Sequence, residues 1–232
     1  RTGVWWIEAA ETIGQGLMRG SVMDASSYGL GELMMRVAQT APGPIMVGLG
    51  GAATLDGGLG MLQALGFSLR DRENRLISTP ATARDLSNVM RIDGNAQIPG
   101  AIIRVLCDVT APFSAAPQAA RSQNSLSDTD FNRLASGRSA LASMLNGDPD
   151  LPGSGTAGGI AFTLAAVLRA GLSPGAELMA KVTGLSRAIA EADVVIAGAS
   201  TLDEVSLVGS AAGEVHRRAG AAGCPVHALV GR

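Results

Sequence analysis

The amino-acid sequence predicts an α/β protein built on a parallel sheet, and three observations support this fold class. Short apolar runs alternate with segments whose apolar residues recur at helical spacing, which is the order typical of parallel sheets. The 232 residues are 47% hydrophobic but only 3% aromatic, and 31 of them are glycine. Small aliphatic side chains and many glycines suit helices packed closely on a sheet. A chain of this length can form one large or two small domains.

The first half of the chain alternates strand and helix patterns around one glycine-rich turn. The run at 4–9 predicts a strand that buries Trp5 or Trp6, and stacking of either ring on a nucleobase is the less favoured alternative. Serines before residue 28 mark the start of a helix, and the pair Glu73-Asn74 predicts a hairpin turn. The predicted elements are strands 4–9, 45–49 and 101–109, helices 28–42, 59–65 and 130–145, a hairpin at 67–77, and irregular chain at 78–100 and 115–129.

The second half alternates helix and strand, which predicts a parallel sheet with right-handed crossovers. Glycine and proline residues at 147–153 interrupt the pattern and are the best candidate for a domain boundary. Both ends are expected to be cuts through a larger protein, because Arg1 is not a methionine and Arg232 closely follows a strand. The predicted elements are helices 160–170, 177–190 and 208–222, a buried strand at 193–198 and a closing strand at 225–231.

Charge and cysteine content exclude several classes of protein. The 18 basic and 20 acidic residues give a net charge of −2, and the sequence contains no run of basic residues. It therefore lacks the cluster of positive charge that binds nucleic acid or an anionic membrane. Cys107 and Cys224 have no metal-ligand spacing and fit a reducing compartment. Glu8 and Glu11 argue against a signal peptide, and the longest apolar run, 160–168, is too short for a membrane span. We expect a cytoplasmic protein that binds neither nucleic acid nor membrane.

Two glycine-rich stretches are the candidate binding loops. The first lies within PIMVGLGGAATLDGGLGMLQALG, residues 44–66, and the second, PGSGTAGG, opens the helix at 160–170. Backbone amides in such turns can approach an anion closely, and a helix N-terminus favours its negative charge. A tight turn without a ligand explains the first stretch as well, and close packing explains the second. The candidate substrate- or phosphate-binding residues are Gly50, Gly51, Thr54, Gly57, Gly58, Gly155, Thr156, Gly158 and Gly159.

Three carboxylates at turns, Asp56, Asp108 and Asp203, are the candidate catalytic residues. The sequence contains no Walker-type G-x-x-x-x-G-K-[ST] and no serine-hydrolase G-x-S-x-G, and His216 and His227 are predicted to be surface and structural residues. Asp108 follows a buried strand, where open α/β sheets place ligand-facing groups, although an aspartate that caps the next turn fits equally well. Carboxylate oxygens and backbone amides suit Mg²⁺ and phosphate.

Four stretches, in this order, resemble segments of the bacterial type I glycerate kinases, which use ATP to phosphorylate D-glycerate. SSYGLGEL is similar to a Tyr-Gly-x-Gly-Glu-Leu segment of that family, GLGGAATLDGG to its G-I-G-G-S-A-T-N-D-G-G signature, LCDVTAPF to its Cys-Asp-Val-x-x-Pro-Leu segment, and PGSGTAGG to its P-G-A-G-A-A-G-G. A later stretch, DVVIAGASTLDEVSLVGSAA, follows the outline of a family strand and turn. Together the stretches span nearly the whole chain.

The resemblance implies two α/β domains with the site in the cleft between them. Residues 1–150 would carry the glycine-rich signature, and residues 151–232 would form part of a Rossmann-like domain with a parallel sheet. It also implies a kinase that takes ATP, Mg²⁺ and a small hydroxy acid, glycerate. Asp56, Asp108 and Asp203 would be catalytic, with Asp108 and Asp203 as metal ligands. The glycine-rich loops would hold the substrate carboxylate and the phosphates.

Several positions depart from the family pattern. Ala52 replaces a serine and Leu55 an asparagine of the signature, Thr201 replaces an arginine, and Ser210 stands where the family usually has lysine. Each lost charge or hydrogen bond at a transfer site can lower the rate on the order of tenfold to a thousandfold. The alternative function is therefore a homologue that binds a ligand or partner without turnover. Sheet edges and apolar faces that a missing N-terminal segment would cover are expected to be exposed, which predicts formation of homo-oligomers.

Overall fold

The computed structural model describes residues 3–40, 43–96, 98, 101–115, 126–199 and 208–231. At its centre is a parallel sheet of four strands, which lie side by side in the order β1 (Trp5–Glu8), β2 (Ile45–Gly48), β5 (Ile103–Cys107) and β6 (Gly171–Pro174). Helices pack on this sheet, so the predicted α/β class with a parallel sheet is confirmed.

The helices follow the predicted pattern with two differences. The helix predicted at 177–190 is divided at Gly184, whose φ of 70° is left-handed, and the one predicted at 160–170 ends at Leu168 because Arg169 has a φ of 53°. Within the part of the chain that the structure describes, no helix has both the length and the hydropathy to cross a membrane. The helices are α1 (Ala10–Ile13), α2 (Tyr28–Thr40), α3 (Leu59–Ala64), α4 (Asp128–Leu145), α5 (Ile160–Leu168), α6 (Gly175–Val182), α7 (Leu185–Ala190) and α8 (Ala211–Ala222).

One face of the central sheet forms the main core. Ile7, Val47 and Val105 lie side by side in register on this face and are almost fully buried. Each such side chain contributes about 1.5–3 kcal/mol when it leaves water. Leu30 of α2 and Leu164 of α5 belong to the same buried cluster. Because the core covers this face, a binding site has to lie on the opposite face of the sheet or at its edges.

Strand β6 is missing from the elements predicted by sequence, because its residues GLSP include one large aliphatic side chain and a proline. It pairs in register with β5, and Leu172 lies beside Val105. The central sheet thus draws strands from both sides of residue 150. The division into domains at that residue stays a prediction.

The predicted hairpin forms its turn but not its full ladder. Asn74 has a φ of 61°, the Asp71 amide donates to the Arg75 carbonyl oxygen at 3.0 Å, and Arg70 bridges to Leu76. Strand β3 (Ser68–Arg70) instead pairs antiparallel along its whole length with β4 (Arg91–Asp93). The prediction of an irregular segment at 78–100 is therefore wrong at β4, whose alternation is only three residues long.

A second sheet contains β7 (Val195–Ala199) and β8 (Val226–Val230), which pair in parallel as predicted. The prediction of a buried strand at 193–198 is wrong, because Ile196 of β7 is 67% exposed, and Leu229 of β8 is exposed to the same extent. Helix α8 packs against β7. The exposed apolar side chains agree with the expectation that apolar faces are left uncovered.

Candidate functional site

A cavity of about 470 Å³ lies at the carboxyl ends of β1, β2 and β5. Its walls come from the second face of the central sheet, the residues that follow these strands, and the first residues of α6 and α8. Open parallel sheets bind ligands at this edge, and small-molecule sites commonly measure about 300–1,000 Å³. The residues that give the walls their chemistry are Trp6, Glu8, Glu11, Gly50, Asp108 and Met179.

The cavity is acidic. Glu8, Glu11 and Asp108 all line it, and none of the described residues in its walls is lysine, arginine or histidine. Carboxylates grouped in this way attract cations and repel free anions. A phosphorylated ligand would therefore enter together with a metal ion that offsets its charge.

Asp108 directly follows β5 and is exposed to the cavity. Although the residue is exposed, neighbouring protein atoms partly desolvate the carboxyl group and raise its pKa, and its own backbone amide partly offsets the rise. Gly50 adjoins it, since a Cβ at residue 50 would lie 3.4 Å from Asp108 Oδ2. The glycine leaves room beside the carboxylate, and a carboxyl group with a raised pKa in a cavity is suited to proton transfer.

Glu8 ends β1 beside the same cavity. Its Oε1 accepts a hydrogen bond of 3.4 Å from the Ala10 amide. Gly48 is its neighbour in register on β2, and a Cβ there would come within 3.0 Å of Glu8 Oε2. Glycines at 48 and 50 therefore keep the floor of the cavity open next to the two carboxylates.

Two helices begin at the cavity. Helix α6 starts at Gly175, directly after β6, where a Cβ would lie 3.2 Å from the Cys107 carbonyl oxygen. Helix α8 is capped by Ser210, whose Oγ accepts a hydrogen bond of 3.0 Å from the Gly213 amide. Gly175 and Ser210 both line the cavity. The positive ends of these helix dipoles favour phosphate or carboxylate groups at this place.

Comparison with known proteins identifies the family. A model of the glycerate kinase family matches residues 2–232. The chain belongs to the glycerate kinase family. It is 32% identical over 217 residues to glycerate 2-kinase of Escherichia coli (strain K12). This alignment covers 88% of this chain and 57% of the Escherichia coli protein. It is 29% identical over 215 residues to glycerate kinase of Halalkalibacterium halodurans, which covers 89% of this chain and 57% of that protein.

A solved structure supports the same assignment. The crystal structure of a candidate glycerate kinase 2 from Salmonella typhimurium LT2 aligns with a TM-score of 0.72 and 30% identity, over 97% of this chain and 63% of that one. The resemblance noted in the sequence motifs is thereby confirmed. The chain spans 57% of the length of each of the two curated relatives.

The donor atoms of this glycerate kinase family member suit a magnesium–phosphate ligand. Carboxylate oxygens of Glu8 and Asp108 would suit the cation, and amides at the starts of α6 and α8 would suit phosphate. Over the described ranges, no group of three or more His, Cys, Asp or Glu side chains is already arranged to hold a metal ion. Asp203, the other predicted metal ligand, lies outside the described residues.

The structure brings two of the predicted site residues to the cavity, Gly50 and Asp108. Most of the others are buried in the interior of this family member, and Thr156 Oγ1 has no hydrogen-bond partner among the residues that are described. Their roles in catalysis and binding stay predictions. The predicted site residues that the structure describes but that do not line the cavity are Gly51, Thr54, Asp56, Gly57, Gly58, Gly155, Thr156, Gly158 and Gly159.

Asp56 joins the starts of α2 and α3. It is fully buried, and its Oδ2 accepts hydrogen bonds from the Ser27 amide (2.8 Å), Ser27 Oγ (2.7 Å) and the Gly60 amide (3.1 Å). Its Oδ1 accepts from Thr54 Oγ1 (3.0 Å) and the Gly58 amide (3.1 Å). These donors satisfy the carboxylate within the protein, so Asp56 fixes the glycine-rich turn that follows β2.

The second glycine-rich stretch packs against the first. Gly158 has a φ of 65°, and a Cβ at this residue would overlap the Thr54 carbonyl oxygen. Thr163 Oγ1 donates a hydrogen bond of 2.5 Å to the Gly57 carbonyl oxygen. Buried Arg138 donates to the Gly158 carbonyl oxygen at 2.9 Å, and burial lowers the pKa of Arg138 to about 10. Gly158 is therefore closely packed, and its predicted role in binding stays a prediction.

Sequence reasoning missed Glu8, Glu11 and the start of α6 as parts of the site. The sequence contained a signal for Glu8. It is the last residue of an apolar strand, and Asp108, which was predicted, directly follows another such strand. The start of α6 gave no such signal, since the preceding strand β6 lacks an apolar run.

Proposed function

We propose that this chain supplies the nucleotide and glycerate site of a kinase that transfers a phosphoryl group from ATP to a hydroxyl of D-glycerate. The observation that carries the proposal is the cavity, which Glu8 and Asp108 share with the starts of two helices. Family membership over residues 2–232 supports the reaction class. Because the chain spans 57% of its curated relatives, the activity of the whole protein is part of the proposal.

The residues of the chain would position the reactants. Glu8 and Asp108, which lie beside Gly48 and Gly50, would hold Mg²⁺. Mg²⁺, when bound, supplies charge neutralisation for the phosphoryl group. Backbone amides at the starts of α6 and α8 would orient the phosphates, since both helix dipoles favour negative charge there.

Asp108 would also take up the proton of the substrate. Its carboxylate lines the cavity beside Gly50, and a carboxylate within hydrogen-bond reach of a substrate hydroxyl can act as a general base. As the glycerate hydroxyl oxygen bonds to phosphorus, its proton moves to Asp108 and the bond from phosphorus to the ADP oxygen breaks. Asp56 would contribute by fixing the turn after β2, and Asp203 by binding the cation.

A second function, ligand binding without turnover, is supported by the charge of the cavity. Phosphoryl transfer depends on positive charge around the phosphates, and the described residues of the cavity walls include no lysine or arginine. Ser210, where the family resemblance leads us to expect lysine, caps α8 instead. In this function the cavity would bind a nucleotide or hydroxy acid and leave it unchanged.

An assay of ADP release with D-glycerate and MgATP decides between the two functions. The kinase proposal expects glycerate-dependent ADP release from the whole protein and a loss on the order of a hundredfold in Asp108→Asn. Calorimetric titration with MgADP provides the second arm. Binding without ADP release would establish the ligand-binding function, and the absence of both would contradict both functions.

We also propose a cytoplasmic location and self-association in solution. The two cysteines, Cys107 and Cys224, are unpaired, which supports a reducing compartment. Exposed apolar side chains on β7 and β8 support association between copies of the chain.

A further inference from the structure

The cavity has an aromatic wall formed by Trp6. Successive side chains of a strand face opposite ways, so the two tryptophans of β1 have different surroundings. Trp5 packs against the main core, whereas Trp6 is 52% exposed and lines the cavity. Core packing, the favoured prediction for these rings, therefore holds for Trp5 and fails for Trp6. An indole exposed to this extent gives up much of its hydrophobic gain, so a ligand that covers it would be stabilised.

The polarity of the cavity changes along β1. Trp6 and Glu8 lie on the same side of the strand, about 7 Å apart along its axis. Met179 of α6 also lines the cavity and is 45% exposed, which adds a second apolar side chain. Beyond Glu8, toward the carboxyl ends of the strands, lie Asp108 and the start of α6. The cavity thus runs from an aromatic wall to a polar end that suits a metal ion and phosphate.

We propose that Trp6 is the platform on which the base of the bound nucleotide stacks, an inference that rests on the proposed function and deepens it. A nucleotide carries an aromatic base, a sugar and charged phosphates in that order, which matches the order of Trp6, Glu8 and the helix N-termini. Glycerate has no aromatic face, so it gains little from an indole. Stacking needs only the π-face that every base presents.

Two single-tryptophan variants test the assignment, since the chain contains two tryptophans. Trp5→Phe leaves Trp6 as the fluorophore, and Trp6→Phe leaves Trp5 as the matched control. MgADP and adenosine should quench the emission of Trp5→Phe saturably and leave that of Trp6→Phe unchanged. Ribose 5-phosphate, which has a sugar and a phosphate but no base, should quench neither.

Calorimetry measures how much the ring contributes. Trp6→Ala should weaken MgADP binding by about 5- to 100-fold, the range expected when one stacked base loses its aromatic partner. Trp6→Phe should keep most of the affinity because a phenyl ring still stacks. Circular dichroism of each variant establishes that it is folded, which is expected because Trp6 lies outside the core cluster.

Each contrary outcome separates this inference from the proposed function. If wild type and Trp6→Ala bind MgADP equally well, Trp6 is not the base platform and the proposed function stands. If ribose 5-phosphate changes Trp6 emission as strongly as MgADP does, the ring responds to the phosphate end and the assignment is wrong. If the wild-type chain binds no nucleotide, the proposed function fails together with the assignment.

Discussion

Asp56 and Asp108 both lie after strands of the central sheet but have opposite surroundings. Asp56 is fully buried and accepts hydrogen bonds from residues at the starts of α2 and α3. Asp108 lines the cavity, its pKa is raised by burial, and the described residues offer its carboxylate no side-chain donor. Donors that favour the charged form stabilise the fold, whereas a carboxylate without side-chain donors contributes less to stability and is available to a ligand. The supply of side-chain donors is thus the clearest difference between the two aspartates, and the catalytic role predicted for each stays a prediction.

Asp56→Asn should produce the largest loss of stability. The amide nitrogen cannot accept the hydrogen bonds that one carboxylate oxygen accepts, so buried donors at Ser27 or at Thr54 and Gly58 lose their partner. We expect the free energy of unfolding to fall by about 3 kcal/mol or more, measured by urea denaturation with circular dichroism.

Asp108→Asn is the matched control for this experiment. Its raised pKa means that the folded state disfavours the ionised carboxylate, so removal of the charge should leave stability at pH 7 unchanged or slightly higher. Equal losses in the two variants would refute the contrast between the two aspartates.

Gly158→Ala tests whether the glycines away from the cavity serve packing. Alanine would have to adopt a left-handed backbone and would overlap the Thr54 carbonyl oxygen, so stability should fall by about 2 kcal/mol or more. Gly171→Ala is the control, because a Cβ at Gly171 meets no atom within 4 Å. Thermal denaturation measures both, and a Gly158→Ala variant as stable as the control would show that the packing account is wrong.

The two parallel sheets show a comparable contrast, between buried and exposed apolar side chains. Val47 and Val105 are fully buried, whereas Ile196 and Leu229 are each 67% exposed. Ile196→Ser combined with Leu229→Ser should weaken self-association by about tenfold or more, measured by light scattering across a concentration series. Leu76→Ser is the control, since Leu76 is 64% exposed but lies on the hairpin. A wild-type chain that stays monomeric would remove the basis for this prediction.

Local signals in the sequence predicted most of the strands and helices, but little of the site. The apolar runs of β2 and β5 and the spacing of α4 are visible without a structure. Glu8 and Asp108 reach the same cavity because β1 and β5 both flank β2, and local periodicity does not predict the order of strands in a sheet. The hydrogen bonds to the Asp56 carboxylate include one from the amide of Ser27, which is 29 residues away in sequence. Long-range pairing therefore decides which of the predicted carboxylates are available for chemistry.

A pH titration of stability gives the smallest expected effect. Hydrogen bonds from Arg217 and Arg218 lower the pKa of Glu214 from 4.5 to about 2. Because the folded-state pKa is depressed, this stabilisation is fully present above pH 4.5 and is lost as the pH falls toward 2. In Glu214→Gln the free energy of unfolding should therefore change less with pH between 4.5 and about 2 than in wild type, measured by acid denaturation. A Glu214→Gln variant with the same dependence of stability on pH as wild type would contradict this effect of the two arginines.

Calorimetric titration of wild type and Asp108→Asn with MgADP tests the central claim most directly, namely that the cavity at the carboxyl ends of β1, β2 and β5 is the nucleotide site. Wild type should bind MgADP, and Asp108→Asn, equally stable, should bind it about tenfold or more weakly because it loses a carboxylate ligand for the cation. Wild-type affinity in a folded Asp108→Asn variant would contradict the claim.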